Sequence, residues 1–124
     1  MNVVNLLWRG IVQYAVARKA RYLIGCSSLT SQCPETGWSM YRQMHREHLV
    51  CEALRTSPLP AFTLPMAEER GLADRPPRLL RAYLAVGAKI CGPPALDREF
   101  KTIDFLTLLD LEEMPPAAIS HFRV

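Results

Sequence analysis

The stretch Gly87–Leu111, GAKICGPPALDREFKTIDFLTLLDL, decides the fold because it contains two strand-like apolar runs separated by a breaker. The first run, Ala88–Cys91, ends at Gly92-Pro93-Pro94, and proline cannot donate a hydrogen bond to a strand ladder. The second run, Thr102–Leu111, places apolar residues on both faces of a strand, which is typical of a strand covered on both sides. The stretch therefore predicts a short strand, a loop of roughly nine residues and a central strand, paired antiparallel.

Segments outside this unit show the periodicity of amphipathic helices. Asn2–Lys19 combines apolar residues at helical spacing with basic residues in the last turn, where the helix dipole favours them. Pro34–Val50 predicts a second helix, and a third follows Pro76-Pro77 and ends at Gly87, a typical C-terminal cap. The apolar side of the first helix is expected to consist of Val4, Leu7, Ile11, Tyr14 and Ala15, broadened by Val3, Trp8 and Val12.

One further strand and two irregular segments complete the pattern. Tyr22–Cys26 predicts a strand, and the serines and threonine that follow it, Ser27 and Ser28 first, predict a loop. A helix followed by a strand suggests half of a parallel strand–helix–strand crossover whose first strand is missing from the sequence. Residues 51–77 contain several prolines and predict a long irregular excursion, with a helical turn near 67–70. Pro115-Pro116 starts a terminal turn or helix.

The composition is that of one ordinary globular domain, with 49% hydrophobic residues in a chain of 124. The net charge is +3, and the lysines and arginines are scattered among acidic residues. This argues against nucleic acid as a partner, because nucleic-acid-binding proteins usually have a clustered basic face. No apolar run approaches the roughly 18 residues of a membrane span. A helical pattern begins at once after Met1, with no charged n-region and cleavage site, so we expect no signal peptide. We therefore expect a cytoplasmic protein.

The four cysteines, Cys26, Cys33, Cys51 and Cys91, show no Cys-x-x-Cys pairing. Cys26 and Cys91 lie in apolar runs, where a free thiol packs as a small hydrophobe. A cytosolic protein keeps such thiols reduced, so we predict four reduced cysteines and no disulfide framework.

Two polar groups in predicted loops are candidates for binding. Ser27-Ser28 follows a strand, at the position where α/β folds place ligands, but no nucleophile motif surrounds it, so substrate contact is favoured over covalent catalysis. Asp97-Arg98-Glu99 is either a solvated turn or a site in which a carboxylate contacts an amine, or Arg98 holds an anion.

Two other constellations carry weaker signals. Asp104 and Asp110 flank the long strand, and a carboxylate on a covered strand needs a partner or takes a raised pKa, which favours Asp104 as the functional one. His45-x-x-His48-x-x-Cys51 contains metal-binding residue types, but three ligands at this spacing drift around a helix and no second pair accompanies them. No metal is predicted.

Three stretches together resemble the ornithine-lipid N-acyltransferases, bacterial proteins often labelled hemolysin-like. They are ARYLIGCSSLTSQ, PPRLLRAYL and the Gly87–Leu111 unit, in which Cys-Gly-Pro-Pro-Ala and Asp-Phe-Leu-x-Leu-Leu are specific in combination. The likeness runs from Asn5 to about Leu111, and Cys33 departs from it, since relatives are expected to have an acidic residue there. This family belongs to the GNAT acyltransferase superfamily and is related to acyl-homoserine-lactone synthases.

The resemblance implies an α/β fold with a GNAT-like mixed sheet flanked by helices and with YLIGC in the wall of the acyl cleft. GNAT proteins hold the acyl donor's phosphate and pantetheine in a loop before the helix that corresponds to Asn2–Lys19. This sequence contains neither that loop nor the strand before it. Residues 1–124 are therefore expected to be a single partial domain, the carboxyl-terminal half of such an enzyme.

The family's activity is transfer of a fatty, often 3-hydroxylated, acyl group from acyl carrier protein, or acyl-CoA, to the α-amine of ornithine or a similar amino acid. No permanently bound cofactor is implied, and no catalytic residue is assigned. The partners implied are acyl carrier protein, an amino-acid acceptor, the inner membrane face and, through an open sheet edge, a second copy. The alternative is a truncated paralogue or half-domain, inactive as an enzyme, that binds a partner chain. The substrate-binding candidates are Ser27, Ser28, Asp97, Arg98, Glu99 and Asp104.

Overall fold

The computed structural model describes residues 3–68 and 75–114, with side chains described from residue 6. Within these ranges the chain forms a four-stranded sheet and three α-helices, which confirms the α/β class. Two short 3-10 turns lie between the second and third helices, at Glu52–Leu54 and Pro60–Phe62. The elements in chain order are α1 Val3–Ala17, β1 Tyr22–Leu29, α2 Pro34–His48, α3 Arg78–Ala85, β2 Lys89–Ile90, β3 Ala95–Asp97 and β4 Thr102–Asp110.

Strand β4 is the centre of the sheet, as the sequence predicts. It pairs antiparallel with β1 on one side and with β2 and β3 on the other. Ile103 and Phe105 are fully buried on the face that the helices cover, and Leu108, on the opposite face, packs beside Val50. The predicted antiparallel pair of strands is thus confirmed. A parallel bridge joins Leu49 to Ile90 at the margin of the sheet.

The loop predicted between the two strands of the Gly87–Leu111 unit contains a short strand, β3, that sequence reasoning missed. Three residues are too few to show an alternating pattern, and β3 follows directly after Pro93-Pro94. Its strand conformation comes from pairing with β4, in the register Ala95–Asp104, Leu96–Ile103 and Asp97–Thr102.

Strand β1 is longer than predicted, and the expectation that Ser27 and Ser28 lie in a loop is wrong. The strand continues to Leu29 because β4 runs opposite it, with Ser27 facing Phe105 and Ser28 facing Asp104. Serine has no strong strand preference, so the long neighbouring strand decides the conformation here. The strand is antiparallel to β4, and no parallel neighbour of β1 lies among the described strands.

Helix α1 buries a narrower stripe than predicted. Val12 and Ala15 are buried, whereas Leu7, Ile11 and Tyr14, expected on the inner side, are 61%, 44% and 63% exposed. The helix is apolar around most of its circumference, so periodicity alone does not identify the side that packs on the sheet. An apolar stripe of α1 consequently faces outward.

Helix α2 and the excursion after it close one end of the sheet face. Gly37 brings α2 so near the sheet that an added Cβ would lie 2.6 Å from Leu64 Cδ2 and 3.0 Å from Ile103 Cδ1. The excursion is irregular as predicted wherever it is described, and Thr63 bridges to β3. Ala67 and Glu68 do not form the expected helical turn. The remainder of that turn, and the terminal turn predicted from Pro115, fall outside the described residues.

Candidate functional site

An apolar cavity of about 470 Å³ lies between α1, α3 and the sheet. Its volume is within the range of small-molecule sites, roughly 300–1,000 Å³. Its floor is formed by β1 and β4 and its walls by the two helices, so it lies on the helix-covered face. Its lining includes Trp8, Leu23, Gly25, Ser27, Tyr83 and Thr107.

Gly25 leaves the floor of the cavity open. Successive side chains of a strand point to opposite faces, so Leu23, Gly25 and Ser27 share the face of the cavity. A Cβ added at Gly25 would meet no atom within 4 Å. The space above this residue is therefore part of the cavity, and a larger side chain would fill it.

The rings of Trp8 and Tyr83 join the two walls. Their centroids are 5.0 Å apart with an interplanar angle of 66°, an edge-to-face contact between α1 and α3. The end of α3 is fixed beside them, because Gly87 adopts φ 102° and the Ala88 N–H donates to the Tyr83 carbonyl at 3.0 Å. This cap is the one predicted from the sequence.

A pair of hydroxyls is the polar feature of the cavity floor. Thr107 Oγ1 lies 3.0 Å from Ser27 Oγ and 3.0 Å from the Phe105 carbonyl oxygen. A hydroxyl has one proton, so when Thr107 donates to the carbonyl, Ser27 donates to Thr107. Ser27 Oγ then retains acceptor lone pairs for a donor group on a ligand. Of the predicted site residues, Ser27 is the one that lines the cavity.

Ser28 and Asp104 lie together, but on the opposite face of the sheet. Ser28 Oγ donates to Asp104 Oδ1 at 2.7 Å, and Thr102 Oγ1 donates to the same oxygen at 2.9 Å. The carboxylate thus has the partners that its position on a covered strand requires. Because strand side chains alternate, adjacent serines serve different surfaces, and the Ser28–Asp104 pair is separated from the cavity.

Asp97, Arg98 and Glu99 form the turn between β3 and β4. Asp97 Oδ1 accepts hydrogen bonds from the N–H groups of Glu99 and Phe100, both at 3.0 Å, and thereby closes the turn. Arg98 donates to the Ala61 carbonyl at 2.9 Å and ties the excursion to this turn. Asp97 faces Thr102 in the β3–β4 register, so it shares the face of Asp104. None of the three lines the cavity.

The four cysteines are free thiols, but Cys26 does not pack in the core as expected. It is exposed, opposite Leu106 in the β1–β4 register, whereas Cys91 is buried and packs with Val50 and Leu108. Desolvation and, more weakly, the charge of Asp104 raise the pKa of the Cys26 thiol, and desolvation raises that of Cys91.

The histidines of α2 take part in local contacts. Tyr41 stacks on His45 with ring centroids 5.4 Å apart, and His45 Nδ1 lies 2.8 Å from the Arg42 carbonyl oxygen. In the described ranges no three His, Cys, Asp or Glu side chains are grouped as metal ligands. Nor does any helix in those ranges have the length and hydropathy required to cross a membrane.

Sequence reasoning missed Gly25 and Thr107 as individual residues of the cavity, although the family resemblance implied that YLIGC lines a cleft. A glycine inside a strand pattern is the signal that could have identified the site, because it often marks a close approach of another molecule. Thr107 gave no such signal, since threonine is common in strands.

Three curated relatives named L-ornithine N(alpha)-acyltransferase are similar to this chain. The protein from Rhodobacter capsulatus is 25% identical over 114 residues, which cover 88% of this chain and 44% of the relative. The protein from Agrobacterium fabrum is 26% identical over 128 residues, or 98% of this chain and 44% of the relative. The protein from Rhizobium meliloti is 24% identical over 129 residues, or 98% and 43%.

No family model and no solved structure matches the chain. The chain spans less than half the length of the curated relatives that it matches. Over nearly its whole length, this chain is therefore similar to one part of the L-ornithine N(alpha)-acyltransferases.

Proposed function

We propose that the chain is the acyl-binding part of an N-acyltransferase, which moves a fatty or 3-hydroxy fatty acyl group from acyl carrier protein to the α-amine of ornithine or a similar amino acid. The apolar cavity beside β1 carries this proposal, because an acyl chain needs an apolar site of this kind. The names of the three similar proteins support the reaction class. We place the protein in the cytoplasm, in contact with the inner membrane face when its lipid product leaves.

The reaction would proceed by direct attack of the amine on the thioester carbonyl. A C–N bond forms, the C–S bond breaks, the thiol of the carrier protein leaves, and the amine gives its proton to a base. Donors aimed at the developing oxyanion lower the barrier. In this scheme Ser27 contacts the acyl donor, since its hydroxyl is at the cavity floor beside Thr107.

The acceptor is proposed to bind on the other face of the sheet. Asp97 and Asp104 lie there, and their carboxylates would attract the amines of an amino acid such as ornithine. Among the described strands β1 pairs only with β4, so an acceptor on one face could approach a thioester on the other face around the far edge of β1. Adjacent residues Ser27 and Ser28 would then contact the donor side and the acceptor side.

Filling the cavity from Gly25 tests the proposal. The purified chain is incubated with 3-hydroxyacyl carrier protein and L-ornithine, and the N-acyl product is measured by mass spectrometry. We expect Gly25→Leu to lower the rate at least about tenfold, because displacing the acyl chain removes its positioning. Gly10→Leu is the matched control: Gly10 is also free of neighbours within 4 Å but lies on exposed α1, outside the cavity.

Binding of a free 3-hydroxy fatty acid, measured by calorimetry, separates the remaining outcomes. Binding that is lost in Gly25→Leu and kept in Gly10→Leu, without transfer, would leave the cavity assigned but remove the claim that this chain catalyses the reaction alone. Equal binding and equal transfer by both variants would show that the cavity does not hold the acyl chain.

The alternative function is that of a half-domain that binds a partner chain. Strand β1 favours it, because among the described strands this one pairs only with β4 and offers its other edge to a partner. Acyl binding without transfer, followed by transfer when a partner chain is added, is the result expected for this alternative.

A further inference from the structure

The hydroxyl pair on the cavity floor is set diagonally across two strands. Thr107 lies opposite Gly25 in the β1–β4 register. Ser27, opposite Phe105, is therefore a diagonal neighbour of Thr107 on the same face of the sheet. Thr107 is 8% exposed, and none of the described residues that line the cavity is charged. An acyl chain that lies over Gly25 consequently passes this pair.

A single arrangement of the two hydroxyl protons makes both contacts of Thr107 hydrogen bonds. Thr107 Oγ1 lies 3.0 Å from the Phe105 carbonyl oxygen and 3.0 Å from Ser27 Oγ. A carbonyl oxygen can only accept, so the first contact is a hydrogen bond when Thr107 donates its one proton there. The second contact is then a hydrogen bond when Ser27 donates to Thr107. The reverse order would leave the Phe105 carbonyl oxygen against a threonine oxygen with no proton between them.

This order of protons restricts what Ser27 can bind. Its proton is used within the protein, so its oxygen faces the cavity with lone pairs only. A hydroxyl on the ligand can donate to that oxygen. A ketone at the same carbon has no proton to donate, and it would bring two acceptor oxygens together in an apolar site. The two ligands hardly differ in size, so the apolar walls alone would not separate them.

We propose that Ser27 and Thr107 select the oxidation state of the acyl chain, accepting a 3-hydroxyacyl chain and rejecting the 3-oxoacyl chain. Ser27 contacts the ligand hydroxyl, and Thr107 is a positioning residue that holds the serine proton away from the ligand. The inference rests on the proposed acyl-binding function of the cavity and concerns which acyl chains enter it. Because Ser27 has no proton to offer, it recognises the chain and does not stabilise the oxyanion of the reaction.

Calorimetric binding of matched amides to the purified chain tests the inference. Decanamide, 3-oxodecanamide and each enantiomer of 3-hydroxydecanamide share one chain length, and the amide group prevents the decarboxylation that free 3-oxo acids undergo. We expect the wild type to bind one 3-hydroxy enantiomer at least about tenfold more tightly than the 3-oxo amide, because a site that pairs with a hydroxyl rejects an analogue that leaves it unpaired. Decanamide shows whether the cavity holds an acyl chain at all.

Substitution of Thr107 separates positioning from a purely structural role. Thr107→Val keeps the branched shape but removes the acceptor of the serine proton, so Ser27 can turn its proton to the ligand. The preference for the 3-hydroxy amide should then fall below about threefold. Thr107→Ser retains a hydroxyl and should keep the preference. Thr63→Val is the matched control, because Thr63 also donates to a carbonyl, that of Leu59 at 3.3 Å, but lies outside the cavity lining.

Ser27→Ala provides a second variant, in which the acceptor itself is removed. It should bind the 3-hydroxy and 3-oxo amides with similar affinity. Circular dichroism checks that each variant keeps its helices and strands.

The outcomes distinguish selection by the hydroxyl pair from the acyl-binding function on which it rests. Equal binding of the 3-hydroxy and 3-oxo amides by the wild type would overturn the selection but keep the cavity as an acyl site. A preference that Thr107→Val and Ser27→Ala leave unchanged would do the same. Failure of all the amides to bind would remove the acyl site itself, and the inference with it.

Discussion

The helix-covered face of the sheet is filled at the α2 end and hollow at the end between α1 and α3. At the filled end Phe105, Ile103 and Trp38 belong to one buried cluster, and Gly37 sets the close approach of α2. At the hollow end Gly25 and Ala88 occupy the floor and leave about 470 Å³ open. Both ends use strand β4, but at the hollow end the floor has smaller side chains and a different pair of helices covers it. Protein interiors are otherwise close-packed, which makes such a gap informative about function.

Truncating one apolar side chain at each end should give the largest contrast. Phe105→Ala removes a fully buried ring and should lower the free energy of unfolding by about 3–5 kcal/mol. Leu23→Ala removes a half-buried side chain next to existing empty space, for which we expect about 1 kcal/mol. Urea denaturation followed by circular dichroism measures both. Equal losses would mean that the hollow end is packed in solution.

Adding a methyl group to a glycine at each end should give effects of opposite sign. Gly37→Ala forces a Cβ against Leu64, a side chain that is 1% exposed and has little room to move, and should cost about 1–2 kcal/mol. Gly25→Ala meets no neighbour and restricts the unfolded chain, so a gain of about 0.5 kcal/mol is expected. Thermal unfolding of the two variants and of the wild type measures both changes in stability. A stabilised Gly37→Ala would contradict the close approach of α2.

The start of β1 is held by an ion pair rather than by packing, and here the expected effect is smallest. Arg21 Nη2 lies 3.1 Å from Asp110 Oδ2, and Arg21 Nε lies 3.2 Å from Glu112. Burial alone would raise the pKa of Asp110, but the hydrogen bond from Arg21 and those from the N–H groups of Glu112 and Glu113 lower it.

A carboxyl whose pKa is lowered by folding stabilises the fold above its unfolded pKa. That contribution disappears as the pH falls through the folded pKa. Asp110→Asn should therefore cost less than about 1 kcal/mol at neutral pH, since Arg21 is largely exposed, and nothing at strongly acidic pH. Unfolding curves at both pH values, for both proteins, measure the difference. A loss that does not depend on pH would show that the ion pair is not its cause.

The elements that the sequence predicts well are those with strong internal signals. Alternation and length identify β4, Gly-Pro-Pro separates it from β2, and Gly87 marks the end of α3. Strand β3 and the second half of β1 carry no such signal, because their conformation is imposed by β4 across the sheet. Pairing between segments distant in sequence overrides local preference at both places.

The candidate site is harder to predict because it is a cavity, and the small side chains that leave it open, such as that of Gly25, give only a weak signal in the sequence. Ser27 and Ser28 look equivalent in the sequence, yet strand alternation sends Ser27 to the cavity and Ser28 to Asp104. The exposed stripe of α1 was expected on its inner side, since a helix that is apolar almost all round does not reveal its packed face. The depth of the cavity follows from Gly25, whose effect is visible only when both helices are in place.

Trp8, which is in edge-to-face contact with Tyr83 in the cavity wall, can report on the cavity through its fluorescence. The chain contains two tryptophans, and the other, Trp38, is 9% exposed and donates through Nε1 to the Pro65 carbonyl at 2.8 Å. An indole in the cavity wall senses changes in polarity and in the neighbouring ring, whereas one fixed in the core senses little beyond unfolding. Intrinsic emission therefore distinguishes occupation of the hollow end from loss of the fold, without a label attached to the protein or to its ligand.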